Sequence, residues 1–484
     1  MEAVDTGSGS ALERFFKFRK WDTSLKRDTL AGLTTFIVMS YIIFVNPAIL
    51  GLDGKGLPFA AALTSTCLVA GVMTLVMGLF TNRAYAIAPG MGINAVVAFS
   101  LVLGQGLTFK NAMGLIVLEG ICITILVITG FREAIFKAIP LELKKAIVIG
   151  IGFFILFIGL VDGGLVVSPP GDGTPVTLGN LVGVPVAVTV FGLVITIVMY
   201  ARKWRGAVIL GILFSTVFAI VLNYIYDKQA FGEGVAVIPS KVFATPDFSL
   251  VGQFDFGAFA KLGVTATVLW IFSLMLSDFF DTMGTLVGVG DEAGYLDKKG
   301  HLAKLNRLLV VDSLAAVAGG AASASSGTTY IESGAGVAAG GRTGWVAVVV
   351  GVLFLACMFL SPIAGIVPAS ATAPALILVG YLMMATMIEG EAMAEMEEGA
   401  GLTKKAIAVI HFGDVAFGIP AVLTMTVMPL TYSITNGIGF GFISYTLIRI
   451  AQGRARELSW MLWIASAGFV VYFLVPLLQA EGLA

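Results

Sequence analysis

Long runs of apolar residues separated by short polar segments dominate the chain and predict transmembrane helices. A helix needs about 20 mostly apolar residues to cross a bilayer. Fourteen segments fit this pattern, near 30–48, 58–80, 85–104, 112–130, 141–164, 183–201, 206–226, 265–288, 307–323, 327–340, 344–367, 372–388, 415–431 and 433–451. A further apolar segment, 460–478, is either a fifteenth span or a helix packed along the bundle. The pattern predicts an all-α polytopic membrane protein.

Basic residues between these segments predict the orientation of the chain. Cytoplasmic loops of membrane proteins carry an excess of Lys and Arg. Alternate loops hold Arg83, Arg132, Lys137, Lys144, Lys145, Arg202, Lys203, Arg205, Lys298, Lys299, Lys304, Arg307, Arg342, Lys404, Lys405, Arg454 and Arg456. The basic and aromatic segment 1–29 then reads as an interfacial segment with a cytoplasmic N-terminus. The polar linker 227–261 lies outside, and we expect the protein in the inner or plasma membrane.

Composition supports this class and narrows the possible partners. The chain is 58% hydrophobic and 12% charged, whereas soluble domains carry about 25% charged residues. Its net charge of −1 gives no reason to expect a nucleic-acid partner. Cys67, Cys122 and Cys357 all lie in apolar segments, which favours small core residues over disulfides or metal ligands. No phosphate-binding loop, zinc-ligand spacing or nucleophile–base set is present, so we expect neither an enzyme nor a cofactor.

The main candidate chemistry is a set of carboxylates at membrane depth. Glu332 lies in a stretch of small and hydroxyl residues between two apolar segments. A carboxylate there costs about 2.5–3.5 kcal/mol on insertion scales, which indicates a functional use. Asp278 and Asp281 are three residues apart and share one helical face. Such close carboxylates do not both ionise easily, so one of the three acids is a candidate proton carrier.

Not every intramembrane acid needs a functional role. Asp281 serves equally well as a residue that orients a neighbour by hydrogen bonding. Glu119 and Asp312 lie in other apolar segments, and we expect them to be hydrogen-bonded partners between helices.

Two segments, 85–104 and 327–340, are expected to be interrupted helices. Pro89 disfavours a helical conformation before it, and glycines follow at once. In the second segment, Thr328, Thr329 and Tyr330 favour a strand. A short extended piece followed by a half-helix would expose backbone N–H groups to a ligand. The alternative is a continuous helix kinked at its glycines.

The two halves of the chain are similar at these positions. Asn94 precedes Glu332 by 238 positions, and Asn46 precedes Asp278 by 232. Seven spans is an odd number, so a second copy of seven starts on the opposite side of the membrane from the first. The second copy must therefore be inverted in the membrane. Inverted repeats place a substrate site near the midplane, where interrupted helices meet.

Three motifs resemble the azaguanine-resistance (AzgA-like) branch of purine permeases. They are 88–95 (APGMGINA), 278–285 (DFFDTMGT) and 328–336 (TTYIESGAG). This branch belongs to the nucleobase–cation symporter superfamily (nucleobase–ascorbate transporters), and the resemblance spans about residues 11–451.

The resemblance implies a 7+7 inverted-repeat transporter with core and gate domains. The core comprises 30–130 and 262–367, and the gate comprises 131–226 and 368–451. The linker 227–261 joins the halves, and 452–484 is a C-terminal hydrophobic segment and tail. Short β-strands are expected in segments 3 and 10, together with elevator-type movement of the core. Homodimers recur in the family, so a homodimer is a further expectation.

The resemblance also implies a substrate and the residues that bind it. The expected function is proton-coupled import of hypoxanthine, guanine or adenine. The same carboxylates also suit Na⁺, so the coupling ion stays open. Substrate-binding candidates are Glu332, Asp278, Asn94, Thr329, Phe279 and Gly334. Asp278 and Asp281 are the candidates for proton coupling and support, and Phe279, Phe280 or Tyr330 is placed to stack on the base.

Other functions fit the sequence less well. Xanthine and uracil permeases favour Glu, often followed by His, where this chain has Asp278. A sulfate-type anion transporter on the same fold should present a cationic or neutral pocket, not an acidic one. A membrane enzyme would need a catalytic set that the sequence lacks. A receptor or scaffold would not need two broken helices.

Overall fold

The helices and strands of the chain follow the predicted segments closely. The structure is a computed structural model that describes residues 11–130, 139–169, 174–204, 206–226, 230–232, 234–296, 302, 304–389 and 410–480. Of the basic residues used to predict orientation, Arg132, Lys137, Arg205, Lys298, Lys299, Lys404 and Lys405 lie outside the described residues, as do segments 1–10 and 481–484 at the two ends.

The first half of the chain contains nine of the described α-helices and three short strands. These are α1 (Ala11–Phe16), α2 (Leu25–Met39), α3 (Ile42–Gly51), α4 (Phe59–Thr81), β1 (Ile87–Pro89), α5 (Met91–Ala95), α6 (Phe109–Ile128), α7 (Leu141–Asp162), β2 (Val166–Val167), β3 (Thr177–Leu178), α8 (Val184–Ala201) and α9 (Ala207–Ile225). The helix α5 continues directly into a π-helix over Val96–Gly104. Short 3₁₀ turns follow α1 and α3, at Phe18–Trp21 and Leu52–Gly54.

The second half has the same kind of elements. These are α10 (Ala258–Glu292), α11 (Leu305–Ala321), β4 (Gly327–Thr329), α12 (Ser333–Ala338), α13 (Gly344–Cys357), α14 (Ser361–Ala364), α15 (Ala369–Glu389), α16 (Val415–Leu430), α17 (Ile434–Ala451) and α18 (Trp460–Ala480). Among the described residues, eight helices are long and apolar enough to cross a membrane, and shorter apolar helices accompany them. The prediction of a polytopic helical membrane protein is confirmed.

The two interrupted segments meet at a two-stranded antiparallel sheet. Strand β1 pairs with β4, so that Ile87 lies opposite Thr329 and Pro89 opposite Gly327. The hydroxyl of Thr74 in α4 accepts a hydrogen bond from the backbone N–H of Ile87 and donates one to the Ile87 carbonyl. Both backbone groups of Ile87 are therefore hydrogen-bonded to α4. The expectation of short strands in segments 3 and 10 is confirmed, and the alternative of a continuous kinked helix is wrong.

Glycines at helix crossings let the backbones approach closely. A Cβ at Gly120 of α6 would lie 2.6 Å from the backbone nitrogen of Val317 in α11. A Cβ at Gly152 of α7 would lie 2.7 Å from the carbonyl oxygen of Gly380 in α15. Small residues are the usual means by which helices pack in lipid, where lipid tails are as apolar as the side chains.

The N-terminal segment and the linker lie at opposite ends of α11. Lys304, at the start of α11, lines a cavity together with Lys17. At the other end, the carbonyl of Ala321 accepts from the backbone N–H of Gly252 in the linker. The two segments therefore contact opposite ends of the same helix. The C-terminal helix α18 packs against α10 and α17 through Tyr472 on Trp270 and Phe469 on Phe442.

Candidate functional site

A small cavity lies between the ends of the paired strands, α10 and α15. Its volume is about 40 Å³. Its walls come from both broken segments, from the junction between α2 and α3, and from α15. The lining residues are Tyr41, Met91, Asp281, Thr285, Thr329, Tyr330, Ile331, Glu332, Val379 and Met383.

Glu332 faces the cavity directly after β4, at the N-cap of α12. The Tyr41 hydroxyl donates a hydrogen bond of 2.6 Å to Glu332 Oε1. Tyr41 itself is almost completely buried at the break between α2 and α3. This bond fixes the orientation of the carboxylate at the cavity.

Asp281 and Asp278 lie on one face of α10, but only Asp281 lines the cavity. Thr285, one turn further along the helix, lines it as well. Asp278 is fully buried one turn before Asp281 and lies outside the lining. The structure therefore brings Asp281 and Glu332, one acid from each of two elements, to the same small space.

Thr329 is held at the cavity by Asp312 of α11. Asp312 Oδ1 accepts from the Thr329 backbone N–H at 2.9 Å and from its hydroxyl at 2.8 Å. Its other oxygen accepts from the hydroxyl of Thr282 in α10 at 2.6 Å. Asp312 thus joins α10, α11 and β4, which confirms that it is a hydrogen-bonded partner between helices. Glu119 has a similar position on α6, where it accepts from Ser326 at 3.3 Å.

Three further candidates, Asn94, Phe279 and Gly334, are not among the residues that line the cavity. Asn94 is fully buried in α5, and neither atom of its amide has a hydrogen-bond partner in the described part of the chain. Phe279 is buried on α10. A Cβ at Gly334 would lie 3.2 Å from Glu292 Oε2, so this glycine faces the end of α10. The side chain of Phe280 lies outside the described residues.

Several lining residues were missed by sequence reasoning. Tyr41 had a weak signal, because it and Ser40 form a polar pair within an apolar run. Thr285 lies four residues after Asp281, which places it on the same helical face. Val379 and Met383 gave no signal, because apolar residues within an apolar span carry no information about what they face.

The charge and size of the cavity limit what it accepts. Two carboxylates line it, and none of the described residues around it is basic. An anion would meet like charges, whereas a neutral ligand with N–H donors or a cation would be attracted. The volume of about 40 Å³ holds roughly three water molecules. A larger ligand therefore needs some of the lining side chains to move away.

Comparison of this sequence with known proteins identifies a matching family and relatives that align over almost their whole length. Residues 27–391 match the model of the Permease family (Xan_ur_permease). The adenine permease AdeP of Escherichia coli K12 is 38% identical over 468 residues, which cover 97% of each chain. The guanine/hypoxanthine permease PbuG of Bacillus subtilis is 36% identical over 471 residues, covering 96% of this chain and 99% of PbuG.

Solved structures with the same architecture are distant in sequence. The transmembrane domain of the cyanobacterial bicarbonate transporter BicA has a TM-score of 0.58 at 13% identity, covering 86% of this chain and 97% of BicA. The murine anion transporter Slc26a9 in its inward-facing state has a TM-score of 0.59 at 12% identity, covering 93% of this chain and 74% of Slc26a9. These likenesses confirm the 7+7 inverted-repeat fold and say nothing about the substrate.

Proposed function

This chain belongs to the Permease family, and on that premise we propose that it carries purine nucleobases across a membrane. The observation that carries the proposal is the pairing of Asp281 and Glu332 at one cavity, in a chain that matches adenine and guanine/hypoxanthine permeases over almost its whole length. A secondary transporter with a site between broken helices suits this arrangement.

The chemistry of the cavity suits a purine base. A purine presents N–H donors and ring-nitrogen acceptors on a flat edge. Glu332 anchors the base by accepting from its N–H groups, while Thr329 offers a hydroxyl and Tyr330 an aromatic ring to the same space. A uracil or xanthine permease is the nearest alternative, and competition by uracil and xanthine distinguishes it from a hypoxanthine, guanine or adenine permease.

Proton symport is the proposed source of energy. Asp281 faces the base site, and Asp278 lies one turn away on the same helix. We assign the coupling proton to this pair, because neutralising a buried carboxylate lowers the cost of moving it through a low dielectric. The membrane potential adds about 2.3 kcal/mol for each charge per 100 mV. Na⁺ in place of the proton is the competing possibility for the same carboxylates.

The remaining proposals concern the whole chain in the membrane. The N-terminal segment faces the cytoplasm, and the linker faces outside. Segments 30–130 and 262–367 form a core that moves against a gate formed by 131–226 and 368–451. Two copies of the chain associate as a homodimer, with the gate as the fixed part.

Uptake of labelled bases by cells that lack their own purine permeases tests the function. Wild type, Glu332→Gln and the matched surface control Glu457→Gln are compared, with and without a protonophore. Glu457 suits as a control because it pairs with Arg454 outside the cavity. We expect saturable uptake in wild type and control, and loss of at least a hundredfold in Glu332→Gln.

Competition by unlabelled bases then identifies the substrate. Block by hypoxanthine and guanine, or by adenine, with no block by uracil, supports a purine permease. Sensitivity to the protonophore supports proton coupling, and dependence on Na⁺ would replace it. A well-expressed protein that takes up no nucleobase would contradict the proposal.

A further inference from the structure

A second and larger cavity lies beside the N-terminal segment of the described chain. Its volume is about 300 Å³. It is enclosed by the N-terminal segment, the end of α4 and the start of α11. Four basic residues line it, namely Lys17, Lys20, Arg83 and Lys304, together with Trp21, Asn82, Phe15, Leu79 and Phe80. No part of the purine site contributes to this cavity.

The basic residues of this cavity have no acidic partner in the described part of the chain. None of the four makes a salt bridge there, and no carboxylate is among the lining residues. Burial lowers the pKa of Lys304, and the nearby cations Arg83, Arg307, Lys17 and Lys20 lower it further. Like charges collected this closely repel one another unless an anion lies between them.

Arg83 is the most enclosed of the four and is rigidly positioned. Its guanidinium lies 4.7 Å from the ring centroid of Trp21 and 4.4 Å from that of Tyr295. Only 5% of the residue is exposed, and its buried Nε has no hydrogen-bond partner. Its one hydrogen bond among the described residues is a long one, 3.4 Å, from a terminal nitrogen to the Asn82 carbonyl. A buried donor without a partner is costly, which suggests that a ligand supplies the acceptor.

A hydrogen bond to a backbone carbonyl positions the Lys304 side chain at the cavity. Its Nζ donates to the Thr81 carbonyl at 2.8 Å, at the end of α4. An ammonium group has three donors, so two remain for an anion. Lys17 and Lys20 are exposed residues of the same lining and are available to the same ligand.

We propose that this cavity binds the phosphate group of an anionic phospholipid. Guanidinium and ammonium donors together are the usual recognition set for phosphate. A lipid is favoured over a free phosphate by the rim of the cavity. There Phe15, Leu79 and Phe80 are each about half exposed, which suits contact with the glycerol and acyl region.

Binding at this place would fasten the N-terminal segment to the helices behind it. Lys17, Lys20 and Trp21 belong to that segment, whereas Arg83 follows α4 and Lys304 begins α11. Protein contacts already hold the segment in part, since Asn82 donates to the Phe16 carbonyl at 2.9 Å. The lipid would bridge three parts of the chain through one headgroup, so its removal should lower the thermal stability of the protein.

The test uses the purified full chain in detergent, delipidated and then titrated with lipid. Phosphatidylglycerol is compared with zwitterionic phosphatidylcholine, and inorganic phosphate forms a third arm. Bound lipid is counted by native mass spectrometry, and Tm is followed by intrinsic fluorescence. The variants are Lys17→Gln with Lys20→Gln, Lys304→Gln, and the matched control Arg202→Gln, a basic residue after α8 that lies outside the cavity.

We expect phosphatidylglycerol, but not phosphatidylcholine, to raise Tm and to remain bound as one tightly held copy. Its affinity should fall about fivefold for each Lys removed, and roughly thirtyfold in the double variant, with no change in the control. Equal effects of the two lipids, or undiminished affinity in both cavity variants, would overturn the proposal. Saturation by inorganic phosphate, with no added effect of lipid, would overturn the lipid as occupant. Purine uptake is not a readout, so these outcomes are independent of the transport function.

Discussion

Single hydroxyl groups orient the acids of the candidate site. Tyr41 donates to Glu332, and the hydroxyls of Thr329 and Thr282 donate to Asp312. Because a buried carboxylate loses its hydration, such bonds determine both its cost and its direction. Asp312 and Thr282 do not line the cavity, yet they affect the site by positioning Thr329, which does.

Removing the Tyr41 hydroxyl should weaken transport without unfolding the protein. A hydrogen bond to a charged group contributes about 1.5–3 kcal/mol, so we expect Tyr41→Phe to raise the KM for purine roughly tenfold or more. Uptake kinetics measure this. Tyr472→Phe is the control, since that ring packs against Trp270 outside the cavity. An unchanged KM in Tyr41→Phe would show that the bond does not position Glu332 for substrate.

Replacing Asp312 should affect both stability and transport. In Asp312→Asn one carboxylate oxygen becomes an amide NH₂ group. This group is a hydrogen-bond donor, so it can no longer accept from the hydroxyl or N–H group that faces it. We expect a loss of about 1–3 kcal/mol in stability and a clear fall in uptake, because Thr329 is no longer fixed. Thermal unfolding and uptake are measured, with Asp247→Asn as the control. Asp247 is an exposed residue whose carboxylate accepts a hydrogen bond from the Ser249 backbone N–H. A variant with full uptake and an unchanged Tm would contradict the positioning role.

Elements of the core are arranged around the β1–β4 pair, and glycine makes that arrangement possible. The chain between α11 and β4 turns back on α11, with Ser325 at a positive φ of 75°. Gly319 in α11 lies under this turn, and a Cβ there would overlap the Ser325 carbonyl oxygen. The strand that carries Thr329 can therefore approach α11 only because position 319 has no side chain.

Gly319→Ala should destabilise the protein although alanine favours helix. The higher helix propensity of alanine stabilises the helix by up to about 1 kcal/mol. The new Cβ overlaps a backbone oxygen, however, and no change of side-chain rotamer can relieve that overlap. We expect a net loss of about 1–3 kcal/mol, seen as a lower Tm in detergent. Gly413→Ala is the control, since open space surrounds that position. An equal or higher Tm for Gly319→Ala would show that the turn shifts freely.

At the scale of the whole molecule, the cavity lies where the two proposed domains meet. Met91, Asp281 and Glu332 belong to segments assigned to the core, whereas Val379 and Met383 belong to the gate. The cavity of about 40 Å³ is too small for a base, so we expect transport to involve relative movement of these parts. Contacts between them, such as Gly92 beside Ile151, must change during the cycle.

A cross-link between the proposed domains should stop transport reversibly. A Cβ at Gly92 lies 2.7 Å from the Ile151 Cγ2, so cysteines at both positions are within reach of a disulfide. In a chain with Cys67, Cys122 and Cys357 replaced, we expect oxidation to abolish uptake and reduction to restore it. Purine uptake by the same oxidised cells is measured before and after treatment with dithiothreitol.

The matched control is a cross-link within the core. A Cβ at Gly71 of α4 lies 2.6 Å from Leu355 Cγ in α13, and cysteines there should leave uptake unchanged on oxidation. Full uptake by the oxidised Gly92–Ile151 pair would show that these two parts do not move apart. Loss in both pairs would contradict the assigned domain division.

The sequence alone determined the class of the protein, the approximate positions of the apolar segments and the two segments that contain strands, but not the break between α2 and α3. A bilayer imposes a local rule, since each crossing needs its own length of apolar residues with every backbone group satisfied. Pro89 and the β-favouring residues 328–330 act locally in the same way, so the strands could also be predicted. The carboxylates Asp281 and Glu332 were recognisable as candidates because an acid at membrane depth is unusual wherever it lies.

Only the tertiary structure decided which of these groups share a cavity. Asp278 and Asp281 lie on the same helical face, and the packing of α10 against β4 and α12 determines which one reaches the open space. Tyr41 meets Glu332 across 291 positions of chain, and Val379 and Met383 face the cavity from a mostly apolar span in which nothing distinguishes them from their neighbours. Such contacts depend on the rotation and depth of whole helices, which local patterns of apolar and polar residues do not specify.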